Sequence, residues 1–122
     1  MDKPYFEPFL EKWIYKNNFI SPKKAKRLLT QIEMIEKAEL MRKAIEKHLD
    51  IKAQSFGFDD IKSARTYTGF NNPFKHIALK LAKWSANVWL TAEQIKQDVA
   101  NGKRNMPTVE ELLNELPKFS DK

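Results

Sequence analysis

Cysteine is absent from this chain and histidine occurs only twice. The first absence excludes disulfides, thiolate nucleophiles and Cys-ligated zinc or iron–sulfur centres. Two imidazoles are too few for a His-rich metal site, so no metal or other cofactor is expected. No apolar run reaches membrane-spanning length, and the opening Met1-Asp2-Lys3-Pro4-Tyr5 lacks the basic-then-apolar order of a signal peptide. The expectation is a cytoplasmic protein without a membrane partner. The sequence offers no Ser/His/Asp set, paired-carboxylate site or Gly-rich phosphate loop, and it reads as non-enzymatic.

A more local absence is the most informative. From Ile61 to Ala92 the chain runs 32 residues without Asp or Glu, although 16 acids occur elsewhere. The same window holds Lys62, Arg65, Lys75, His76, Lys80 and Lys83, interleaved with Tyr67, Phe70, Phe74, Trp84 and Trp89. Net charge is +6, which favours anionic partners.

What is present is enough for one domain. The 122 residues include 42% apolar side chains and an aromatic share of 11%, sufficient to bury a core. Phe6, Phe9, Leu10, Trp13 and Ile14 recur at spacings of three and four, predicting a short first helix over residues 6–18, with Asn17-Asn18 as its stop. Ser21-Pro22 predicts the start of a second, with Ser as N-cap and Pro at the first helical position, running to about His48 or Leu49. Its seam is Leu28, Ile32, Ile35, Ala38, Met41, Ile45 and Leu49, a period suited to shallow packing along another helix.

Residues 50–72 break this pattern and read as one long central loop, with two helical turns at 59–65 capped by Asp59 or Asp60. A helix is expected from Pro73, capped by Asn72, with Phe74, Ile77, Leu81, Trp84, Val88 and Ala92 on its core face. It either continues to Ala100 or restarts at Ala92 behind the box Thr91…Gln94, and Gly102 stops it. A capping box at Thr108…Glu111 opens a last short helix that Pro117 ends. The expected fold is an all-α single domain over residues 1–122: a compact bundle of four to five helices around the central loop.

On the helix after Pro73, His76, Lys80 and Lys83 fall on one stripe beside Lys75, suited to following a phosphate backbone. Lys23, Lys24, Lys26 and Arg27 form a second basic cluster, at a helix start where cations oppose the macrodipole and do not serve helix stability. Arg65 and Tyr67 are candidates for base or sugar contacts. Leu79, Leu90 and Trp89 flank the stripe and are candidates for a protein partner. Arg42 and His48 have a separation found in helical ribonucleases of the HEPN group, but Lys43 stands where those carry a small polar residue, so the pair is not read as catalytic. The expected function is a nucleic-acid-binding accessory subunit that contacts the backbone of DNA or RNA, within a larger protein complex. The alternative is a phage- or plasmid-type adaptor or inhibitor that binds protein through a helical face.

Overall fold

A computed structural model describes residues 2–121. The chain divides into two compact units, Met1–Leu40 and Met41–Lys122.

The first unit overturns the all-α expectation. Residues 5–20 form a three-stranded antiparallel meander of β1 (Tyr5–Glu7), β2 (Lys12–Tyr15) and β3 (Asn18–Ile20), not a helix. The physical reason lies in its turns. Lys16 and Asn17 both take left-handed backbone, with φ of 49° and 65°, between Tyr15 and its cross-strand partner Asn18. Two central residues with positive φ make the hairpin turn whose twist matches that of paired strands, and Asn tolerates this region better than most residues. The β1–β2 loop begins at Pro8 and has Glu11 at φ 52°. Its Phe9 N–H donates to Glu7 Oε1 at 3.1 Å.

Register assigns the sheet faces, because directly opposed residues share a face and successive residues alternate. Tyr5, Ile14 and Phe19 form one row, and Phe6, Trp13 and Ile20 form a row on the opposite face. On that second face Trp13, Tyr15 and Ile20 are half-buried, and the Phe6 and Trp13 rings lie 5.7 Å apart. On the first face Tyr5 and Phe19 are exposed.

Helix α1 (Pro22–Ser55) starts as its cap signals require: Lys24 N–H donates to Ser21 Oγ at 3.1 Å. In the first unit it buries Ala25 and Ile32, but residues 33–40 are all exposed, Ile35 and Ala38 among them. The seam expected along this helix is therefore interrupted. Lys3 and Glu36 pair at 3.0 Å within the same unit.

The second unit holds the principal core. From α1, Ile45, Leu49 and Ala53 join Ala78, Leu81 and Val88 of α3 (Lys75–Ala100), with Ile61 and Ala64 of α2 (Ile61–Arg65) and Leu112 of α4 (Val109–Glu115). The long loop expected over 50–72 is also corrected. α1 continues to Ser55 because nothing breaks it before Gly57, which takes φ 94°. There Gly57 N–H bonds Gln54 O and Phe58 N–H bonds Ala53 O, closing the helix by the two reverse bonds of a Schellman end. Phe58 is buried just beyond. Asp60 caps α2 by accepting Ser63 N–H at 2.7 Å, and Asp50 Oδ1 holds Ile61 N–H at 3.0 Å.

Asn72 Oδ1 accepts Phe74 N–H at 2.9 Å before α3, which begins two residues later than Pro73 and runs unbroken past Thr91 to Ala100. Phe74, expected in the core, is exposed. Gly102 ends α3 at φ 74°, with its N–H on Val99 O and Lys103 N–H on Asp98 O. The Thr108–Glu111 capping box is complete in both directions, at 3.0 and 3.1 Å. After α4, Trp84 Nε1 donates to Pro117 O at 2.7 Å, and Phe119 meets Trp84 and Phe56 edge-on.

Candidate nucleic-acid interface

Charge on a folded surface acts only where side chains reach solvent and are not already neutralised. At the start of α1, Lys23, Lys24, Lys26 and Arg27 are all exposed around the buried Ala25. None of the four forms an ion pair with a carboxylate among the described residues. Four cations within five residues thus share one helix end with the positive pole of the backbone dipole.

The α3 stripe is less uniform. His76 and Lys83 are exposed, but Lys75 is half-buried. Lys80 is half-buried too, and its Nζ donates to the backbone carbonyl of Asp121. The stripe is therefore divided by the segment that carries Asp121, and His76 and Lys83 are its solvent-facing members. Leu79 and Leu90, three turns apart, are exposed on the same side of α3, Leu90 at 68%.

Arg65 and Trp89, assigned to different roles from sequence, are brought together. They line a pocket of about 200 Å³ with Lys62, Glu46, Asp50 and Asp60, floored by Leu49 and Ile61. Three carboxylates against two cations make this pocket a poor phosphate site, although Asp50 and Asp60 already accept backbone N–H groups. Tyr67 is half-buried, with its ring 5.6 Å from Phe58 and 5.7 Å from Phe74, and thereby anchors the 66–74 segment. The Arg42 and His48 side chains engage different neighbours: Arg42 pairs with Glu46, and His48 lies 5.7 Å from the Trp84 ring.

Sequence reasoning missed Tyr5 and Phe19, which the sheet displays side by side with Ile14. The available signal was Tyr15-Lys16-Asn17-Asn18-Phe19, a turn-forming Asn pair between aromatic residues. Among the described residues no group of three His, Asp or Glu could hold a metal ion, and no helix is long and apolar enough to cross a membrane.

Titration is perturbed away from these surfaces, around α4. Arg104 donates two bonds of 2.8 Å to the Glu115 carboxylate, which lowers the pKa of Glu115 and raises that of Arg104. The Thr108 N–H, and secondarily its hydroxyl, lower the pKa of Glu111.

No protein-family model matches this chain, and no curated protein or solved structure matches it either.

Proposed function

We propose that this protein is a non-enzymatic, basic nucleic-acid-binding accessory subunit that contacts the phosphate backbone of DNA or RNA within a larger nucleoprotein complex. The observation that carries this reading is the exposed cluster Lys23, Lys24, Lys26 and Arg27 at the start of α1, unpaired with any carboxylate among the described residues. It occupies the helix end where cations are unfavourable by a few tenths of a kcal/mol each, so helix stability does not account for it. His76 and Lys83 supply a second set of contacts, while Lys80 contributes once the terminal segment moves off it.

The test is a titration of labelled single- and double-stranded DNA and RNA across a salt series. Each phosphate contact should add about 0.7 to 0.9 to the slope of log affinity against log salt. The double variant Lys23→Glu/Lys24→Glu should weaken binding on every strand type and flatten that slope by about two contacts. Because acids at a helix start favour the dipole, this variant keeps or gains helicity, and lost binding is not lost folding. An absence of binding at low salt on all four ligands overturns the reading.

The exposure of Leu79 and Leu90 favours one alternative: an adaptor or inhibitor that docks a protein on that side of α3. Its signature is binding that survives high salt and is lost in Leu90→Asp.

A further inference from the structure

We propose that the outward face of the three-stranded sheet is a stacking platform for unpaired bases, which makes the ligand single-stranded nucleic acid. This deepens the nucleic-acid reading and rests on it. The platform is the row Tyr5–Ile14–Phe19, whose pairing puts three side chains on one face across three adjacent strands. Tyr5 is 55% exposed and Phe19 66%, while Ile14 between them is half-buried by its neighbours. With strands about 4.8 Å apart, the two rings stand about 10 Å apart, enough for two splayed bases to stack separately with Ile14 as the floor between them. Aromatic rings presented on a pleated surface accept any base, because every base has a π-face. Bases inside a duplex are already stacked, so such a row selects unpaired strands.

Charge names the occupant. Phe19 lies two residues before Ser21, and the cations Lys23, Lys24, Lys26 and Arg27 follow directly on the chain, within the same unit. A strand whose bases lie on Tyr5 and Phe19 needs cations for its phosphates, and this cluster is the nearest group of cations after Phe19 along the chain. Lys12 stands on the same face directly opposite Glu7, so their charges offset and that end favours bases over phosphates. A second copy of this chain is a poorer occupant. Strands of three or four residues present a face of roughly 150 Å², far below the ~800 Å² per partner of a stable interface.

The experiment compares the full chain with Tyr5→Val/Phe19→Val, a pair that keeps β-forming side chains and removes both rings. Binding to fluorescein-labelled oligothymidylate and to a duplex of equal length is followed by anisotropy at low salt. Affinity for the single strand should fall by about tenfold or more, with the duplex unaffected. Phe70→Leu, which removes an exposed ring of the second unit, should change neither. Photocrosslinking of the unaltered protein to bromodeoxyuridine-substituted strands should map to Tyr5 and Phe19, a readout independent of how the double variant folds. Unchanged single-strand affinity, or crosslinks confined to Tyr67 and Phe70, overturns the platform while leaving the backbone-binding reading in place. A concentration-dependent dimer that the double variant abolishes also overturns it, by making the face a self-interface. Failure of the unaltered protein to bind either ligand overturns the platform, and the same failure on single- and double-stranded RNA overturns the backbone-binding reading as well.

Discussion

The two units of this protein differ in how much of their apolar side-chain complement they enclose, although Phe70, Phe74 and Leu90 of the second unit are exposed too. In Met41–Lys122, Leu49, Leu81 and Val88 are fully enclosed, and Trp84 is buried with its indole N–H bonded to Pro117 O. Among the described residues of Met1–Leu40 only Pro4, Ala25 and Ile32 are buried, while Tyr5, Phe6, Phe9, Leu10 and Phe19 all stand exposed. Phe9, on the β1–β2 loop, reaches 91%. Apolar area removed from water stabilises a fold by about 25 cal/mol per Å², so the second unit carries most of the folding free energy. Exposed rings contribute little to stability, so burial does not account for those in the first unit.

The largest effect should separate two positions on one helix. Ile45 is buried and Ile35 is 55% exposed, though both belong to α1 and to the same sequence seam. Ile45→Ala should cost about 2–5 kcal/mol in urea denaturation, as expected for a buried aliphatic truncated to Ala. Ile35→Ala should stay within about 0.5 kcal/mol. Equal costs would erase the contrast between the units.

Trp84→Phe comes next. It leaves the Pro117 carbonyl without its indole donor and should cost about 1–3 kcal/mol. It should also free the terminal segment, seen as faster amide exchange over residues 117–121. Smaller again is Asn17→Ala in the first unit. At φ 65° a residue with a β-carbon and no local hydrogen-bonding side chain costs about 1–2 kcal/mol, which should loosen the meander and spare the core of the second unit.

The smallest effect is a pH dependence. Glu115 has its pKa lowered by Arg104, so their pair stabilises the fold above the ordinary carboxylate value of 4.5. That stability is lost as pH falls through the lowered folded value, because the native carboxylate must then take up a proton. The stability gap between the wild type and Arg104→Gln should therefore be full near neutrality and close below pH 4.5. A gap that widens in acid would contradict the pairing.

The helices were legible in the sequence wherever their ends carried a chemical signal. Ser21-Pro22, Asp60, Gly102 and Thr108…Glu111 each mark a boundary that the backbone realises. The meander was not legible. Phe6, Phe9, Leu10, Trp13 and Ile14 satisfy a helical spacing, and strands of three or four residues are too short for an alternating pattern to compete with it. Only the left-handed Lys16-Asn17 turn decides between the two, and turn chemistry outweighs periodicity there.

The candidate surface was readable in part. Lys23, Lys24, Lys26, Arg27, His76 and Lys83 reach solvent, as charged side chains on helices usually do. Lys80 does not follow that rule because its partner, Asp121, lies 41 residues away in the chain. Tyr5 and Phe19 escaped notice for the opposite reason: nothing in an aromatic residue's identity announces that it will be left uncovered.

Under the proposal, single strands bind through the first unit, with bases on the sheet and phosphates on the start of α1. Amide shift mapping with an oligothymidylate at low salt tests it most directly. Perturbations are expected at Tyr5, Ile14, Phe19, Lys23, Lys24, Lys26 and Arg27, with Ile45, Leu49 and Ala53 unmoved. Shifts confined to the Arg65–Trp89 pocket, or none at all, would contradict it.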